Sequence, residues 1–182
     1  MTDTRNYMLA ETLRDGTSVA VRAIRADDSS AILAAFGGLN RESIYTRFFT
    51  YKKDLTETEL RQLADIDFEH VVALVVTTGT GEGEKLVGGG RYCSEAPLAT
   101  SRSAELAFIT ADEYRGRGIA SLVLRHLVKI GRDQGLMQFE ADVLAQNQAM
   151  LAVLSRSGLA IRQRREANVL HVYLSLNGNA EG

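Results

Sequence analysis

A chain of 182 residues, 45% apolar and 24% charged, has room for one domain with a substantial core and the composition of a globular protein. Its formal net charge of −2 provides no overall basic field, which argues against nucleic acid and anionic membrane as partners. Cys93 is the only cysteine, so no intrachain disulfide can form, and the thiol reads as a small buried hydrophobe. The opening MTDTRNYMLAETLRDG lacks the apolar core of a signal peptide, and no stretch is apolar enough to span a bilayer, so a cytoplasmic protein is expected.

Pro97 is the single proline and no low-complexity linker interrupts the chain. The expected organisation is an N-terminal extension over 1–17, one domain over 18–176 and a tail over 177–182. Residues 18–25, SVAVRAIR, alternate apolar and polar positions and read as a strand. Asp27 or Asp28 can cap a helix through about Phe36, ended by Gly37-Gly38. Residues 40–50 look helical, with Tyr45, Phe48 and Phe49 near one face. Thr56-Glu57-Thr58-Glu59 matches a capping box and opens a further helix to about Ala64.

The pattern then turns to β. HVVALVVTT, residues 70–78, is rich in branched side chains and forms a buried strand. Gly79 to Glu84 is hairpin-turn material. Strands follow near 85–95 and 102–110, separated by a loop carrying Pro97. Over 118–134, Ile119, Val123, Leu127 and Ile130 share one helical face, with Gly135 as the C-terminal stop. A strand over 138–144, a helix over about 147–157 stopped by Gly158, and strands near 160–165 and 169–176 complete the chain. This order predicts an α+β or mixed α/β fold.

The most informative segment is AELAFITADEYRGRGIASLVLRHL, Ala104 to Leu127, in which a strand leads through a short turn into a helix. The first N–H groups of a helix lack intrahelical partners, and its dipole places partial positive charge there. Glycines let the backbone approach an anion closely, so Arg115-Gly116-Arg117-Gly118-Ile119-Ala120 suits a pyrophosphate. A Walker loop would end in Gly-Lys-Ser/Thr, whereas this one reads Gly118-Ile119-Ala120. A Rossmann fingerprint would place a third glycine where Ser121 stands. An ordinary strand–helix turn without a ligand leaves the pairing of two glycines with two arginines unexplained.

The remaining pattern, Arg/Gln-x-x-Gly-x-Gly/Ala, is matched by Arg115, Gly118 and Ala120. It resembles the pyrophosphate-binding loop of the GNAT superfamily of N-acetyltransferases, with its strand before, its helix after, and a later helix running from Asn147 to Gly158-Leu159. The resemblance spans roughly Val19 to Tyr173. It implies a central, mostly antiparallel mixed sheet of about six to seven strands flanked by helices. The N-terminal half, in Arg41–Phe49, Leu55–Leu60 and Ile66–Glu69, is similar to the acetyltransferase domain of bacterial Pat-type protein lysine acetyltransferases. In that family the domain is often fused to an acyl-CoA synthetase-like or cyclic-nucleotide-binding module, for which this chain is too short.

The resemblance implies acetyl-CoA as cosubstrate and a primary amine as acceptor, a protein lysine such as that of an acyl-CoA synthetase being one. A lysine amine is protonated at neutral pH, and with a pKa of about 10.4 its deprotonation near pH 7.4 costs roughly 4 kcal/mol. A carboxylate base offsets that cost. The resemblance places a catalytic glutamate at Glu105, with Glu95 and Asp112 as weaker candidates nearby. It also implies that backbone amides of Leu106–Thr110, with Ala107, Phe108 and Ile109 foremost, pair with the pantetheine arm and meet the developing oxyanion. Arg115, Gly116, Arg117, Gly118, Ile119 and Ala120 would hold the pyrophosphate, and Asn147 would either contact the pantetheine region or cap its own helix. Where many relatives carry a tyrosine acid for the leaving thiolate, this chain has Leu154. His70, His126, His171 and Cys93 show no metal-ligand spacing, so no metal is expected. The rival readings are a small-molecule amine acetyltransferase and a non-catalytic acyl-CoA sensor, which would keep the loop but need no base.

Overall fold

A computed structural model describes residues 3–37, 58 and 63–179. In chain order the elements are β1 (Met8–Thr12), β2 (Ser18–Ala23), a 3-10 turn (Ala26–Asp28), α1 (Ser29–Gly37), β3 (Val71–Thr78), β4 (Lys85–Cys93) and β5 (Ser103–Thr110). A second 3-10 turn (Gly81–Gly83) joins β3 to β4, and after a third (Asp112–Tyr114) come α2 (Ile119–Asp133), β6 (Gln138–Leu144), α3 (Gln148–Ser155), β7 (Leu159–Glu166) and β8 (Val169–Asn179). The helices expected over 40–50 and from Thr56 lie outside the described residues, apart from a few positions.

The strands form one sheet in the order β1-β2-β3-β4-β5-β6-β8-β7, with β5 and β6 parallel and every other neighbouring pair antiparallel. This is the mixed α+β fold the sequence implies, with eight strands among the described residues rather than six or seven. The additional strand is β1, which falls within residues 1–17, read as an extension. Its edge position and exposed face leave no apolar alternation to detect: all of Met8–Ala10 are exposed. Pairing with β2 and burial of the flanking Tyr7 and Leu13 hold it in place. At the other end, β8 runs through Asn179, into the expected tail.

Two faces of the sheet are covered, and β3 shows why. Val72, Leu74 and Val76 enter the main core with Val21, Val87, Leu106 and Phe139, while Ala73 and Val75 pack on the opposite face with Ile24 and Leu86. Helix α2 covers the first face through the predicted stripe: Ile119, Val123, Leu127 and Ile130 are each at most 2% exposed. Residues Ala31, Ile32 and Ala35 of α1 pack on the second.

Close approach of α2 depends on glycines in β4. A Cβ at Gly88 would lie 2.7 Å from Cγ2 of Ile119, and one at Gly90 would lie 2.7 Å from the Phe108 ring and 2.9 Å from Cγ1 of Val123. The GGG run therefore seats the start of α2 on the sheet, beside β5.

Asp28 departs from the expected helix cap. Its carboxylate is engaged by both Nη atoms of Arg22, at 2.8 Å each, and by the Arg25 N–H at 2.7 Å. Arg22 is 2% exposed and also reaches Glu84 at 2.7 Å. A buried guanidinium requires counter-charge, and that demand outranks capping α1.

Candidate active site

Strand β5 meets β4 along almost its whole length, from Glu105 against Cys93 to Thr110 against Gly88. Its pairing with β6 is much shorter, covering only Ser103↔Gln138, Ala104↔Phe139 and Glu105↔Glu140. Beyond Glu105 the two strands part. The β6-facing edge of Leu106–Thr110 thus has no strand partner among the described residues, leaving backbone groups that demand a hydrogen-bonding partner. Ala107, Phe108 and Ile109 lie along this edge, and Glu105 occupies the last paired rung with its side chain exposed.

The chain then turns through Asp112–Tyr114, held by the Ala111 N–H donating to Val87 O at 2.9 Å, and reaches α2. Gly116 and Gly118 adopt φ of +74° and +87°, a region costly for residues with a Cβ. Gly118 is the N-cap of α2 and supplies no side-chain cap; the first i→i−4 bond runs from Leu122 N–H to Gly118 O at 3.0 Å. The amides of Ile119, Ala120 and Ser121 therefore have no intrahelical acceptor. Space around a Cβ position at Gly116 is empty to 4 Å, so its peptide is approachable. Arg115 pairs with Asp112 at 3.2 Å, and Arg117 pairs with Asp15 at 3.4 Å while lying 4.6 Å over the Tyr114 ring. Free amides, a helix dipole and flanking guanidinium groups form a donor set that fits a pyrophosphate.

Asn147 is the N-cap of α3, its Oδ1 accepting the Met150 N–H at 3.2 Å, which is the capping alternative of its two roles. Leu154 is 1% exposed and belongs to the main core, so α3 presents no hydroxyl from that position. Glu95 is exposed in the loop after β4, two residues beyond Cys93, the register partner of Glu105, and the Asp112 carboxylate faces Arg115. Among the described residues no three His, Cys, Asp or Glu side chains converge to hold a metal.

Several residues beside the loop carry no sequence signal. Arg14 and Asp15, in the β1–β2 turn, reach Gly118 and Arg117 respectively. His126, on α2, is 5% exposed between Tyr7 and Glu11: the Tyr7 hydroxyl lies 2.5 Å from Nδ1 and Glu11 Oε1 lies 2.9 Å from Nε2. A carboxylate only accepts, so Nε2 carries the proton and Tyr7 donates to Nδ1, which satisfies a neutral imidazole on both sides. Burial holds the His126 pKa below its ordinary value, against the pull of Glu11. All these contacts link the first 15 residues to a helix more than 100 residues later, a separation that local pattern does not encode.

A sheet that opens beside a helix start with free amides offers a phosphate-bearing ligand both a cradle and an unpaired strand edge. The family model described as Acetyltransferase (GNAT) family matches residues 41–159. The chain is 30% identical over 140 residues to acetyltransferase PA5475 of Pseudomonas aeruginosa, covering 77% of this chain and 74% of that protein. It is 29% identical over 159 residues to acetyltransferase Pat of Mycolicibacterium smegmatis, covering 87% of this chain but 46% of Pat, so it spans about half of that relative. The crystal structure of the GNAT domain of S. lividans PAT superposes with a TM-score of 0.83 at 28% identity, covering 92% of this chain and 96% of that one. This chain belongs to the GNAT acetyltransferase family. It is an N-acetyltransferase with acetyl-CoA as cosubstrate.

Proposed function

We propose that this GNAT enzyme acetylates the side-chain amine of a protein lysine, with Glu105 as general base. The observation that carries the proposal is the parting of β5 from β6 at Glu105, which puts a carboxylate at the mouth of an unpaired strand edge. When bound, acetyl-CoA supplies an acyl group activated as a thioester. Arg115, Gly116, Arg117, Gly118, Ile119 and Ala120 would hold its pyrophosphate, and the unpaired backbone of Ala107, Phe108 and Ile109 would bind the pantetheine arm. A free β5 amide would stabilise the negative charge that develops on the acyl carbonyl oxygen. Asn147 fixes the start of α3 as its N-cap.

Glu105 takes the proton from the acceptor ammonium, directly or through water, so that the free amine attacks. Offsetting roughly 4 kcal/mol of deprotonation is the part of the barrier a base can remove. With leucine at position 154, the thiolate departs as the anion or takes a proton from water, and the second proton of the attacking nitrogen is released to water. The choice of a protein lysine rests on similarity to Pat in sequence and to the PAT domain in structure. A cytoplasmic setting belongs to the same proposal.

The test is acetyl-CoA turnover with lysine peptides, a purified acyl-CoA synthetase and a panel of small amines, for wild type and Glu105→Gln. Glu105→Gln is expected to lower kcat by about 10²–10⁴-fold while leaving CoA affinity intact. Equal turnover by the two proteins removes Glu105 as base. Turnover on small amines alone replaces the lysine reading with a small-molecule one, and CoA binding without turnover on any acceptor points to a sensor.

A further inference from the structure

Arg14 lies outside the Arg115–Ala120 motif, in the turn between β1 and β2. That turn is well ordered by its own bonds: Leu13 N–H donates to Thr17 O at 2.9 Å, Gly16 N–H to Leu13 O at 3.0 Å, and Thr17 N–H to Asp15 Oδ1 at 2.9 Å. Buried Leu13 anchors it in the core, and the Asp15–Arg117 pair ties it to the loop. From this base the Arg14 side chain crosses Gly118. Its Nε lies 3.1 Å, and its Cδ and Cζ 3.6 Å, from the point a Gly118 Cβ would occupy.

Arg14 is exposed, so solvent screens its charge, and the electrostatics of that position are mildly unfavourable as they stand. Gly118 caps α2, so the guanidinium rests against the positive end of a helix dipole. The neighbouring carboxylate, Asp15, is engaged by Arg117, and among the described residues no carboxylate is bonded to Arg14. Cations gain stability at helix C-termini and lose it at N-termini unless an anion lies between. An arginine fork is also the side chain best matched to two phosphate oxygens at once.

We propose that Arg14 binds a phosphate group of the CoA nucleotide, extending the pyrophosphate loop with a ligand from the N-terminal hairpin. The proposal rests on the reading that CoA occupies the Arg115–Ala120 loop. The pyrophosphate and the 3′-phosphate offer the same chemistry, and the experiment separates them.

Binding of CoA, dephospho-CoA and pantetheine is measured by calorimetry and by thermal shift for wild type, Arg14→Ala and Arg14→Lys. Arg14→Ala is expected to weaken CoA about tenfold or more, with Arg14→Lys restoring part of the loss and a shallower salt dependence for Arg14→Ala. If the contact is the 3′-phosphate, dephospho-CoA binds wild type and Arg14→Ala equally; if it is the pyrophosphate, the same factor is lost with both nucleotides. Wild-type affinity for CoA in Arg14→Ala overturns the proposal. An equal loss with pantetheine, which has no phosphate, also overturns it by marking a general structural defect. Failure of wild type itself to bind CoA defeats the loop reading and is thereby distinguished from a fault in Arg14 alone.

Discussion

Replacing Gly88 by alanine tests whether the packing of β4 sets the position of the phosphate loop. The added Cβ would sit 2.7 Å from Ile119 Cγ2 and 3.1 Å from the Ile109 carbonyl oxygen, inside contact distance for both. Ile119 is 2% exposed and is the first residue of α2, so it has little room to move without displacing the helix start. Overpacking of this kind costs about 1–3 kcal/mol. Removing a glycine from the unfolded chain returns about 0.4–1 kcal/mol. The net loss is then roughly 0.5–2 kcal/mol, or about 1–8 °C in Tm for a domain of this size. Gly83→Ala is the control, since a Cβ there meets nothing within 4 Å. Thermal unfolding with and without saturating CoA is the assay. The expected result is a lower Tm for Gly88→Ala and a smaller CoA-induced rise, with Gly83→Ala unchanged within about 1 °C. A Gly88→Ala protein as stable as wild type, with the full CoA-induced rise, would refute the claim that this glycine positions the cradle.

Three further outcomes are expected. Gly118→Val forces a branched residue into φ +87° and pushes on Arg14, so it should lose about 1–3 kcal/mol of stability and the CoA-induced rise in Tm; a retained rise would mean the cofactor binds elsewhere. Asp28→Ala should cost about 3–5 kcal/mol in urea unfolding because Arg22 is left buried with only partly exposed Glu84, whereas Arg22→Met should cost less; the reverse order would contradict the counter-charge argument. Burial lowers the His126 pKa in the fold, so at acid pH the unfolded chain binds the extra proton. That contribution to stability is complete above the unfolded pKa of about 6.5 and is lost as pH falls through and below it. Urea unfolding at pH 7.5 and 5.5 should show a smaller pH-dependent loss in His126→Gln than in wild type, and equal losses would remove His126 as the source.

Much of the fold is legible from local pattern. The alternation in β2, the branched run of β3, the apolar stripe of α2 and the glycine stops place their elements within a few residues of where the structure has them, because such patterns reflect which side chains must leave water. The loop from Arg115 to Ala120 is equally legible, since it depends on backbone conformations that only particular residues adopt. Strand β1 is not legible: both its exposure and its pairing are settled by β2 and by the Tyr7–His126–Glu11 contacts, which lie far away in sequence. The same holds for Asp28, which a local reading assigns to a helix cap and a buried Arg22 claims as counter-ion.

What the sequence by itself determined is a strand, a glycine–arginine turn and a helix start, contiguous in the chain and suited to cradle an anion. What only the tertiary structure decided is the company that cradle keeps. The point at which β5 leaves β6, the approach of Arg14 to Gly118, and the seating of α2 on Gly88 and Gly90 all arise between segments distant in sequence. The physical reason is that backbone conformation is a local property of a few adjacent residues, whereas burial, counter-charge and strand partnership are settled by whichever surfaces the whole chain brings together.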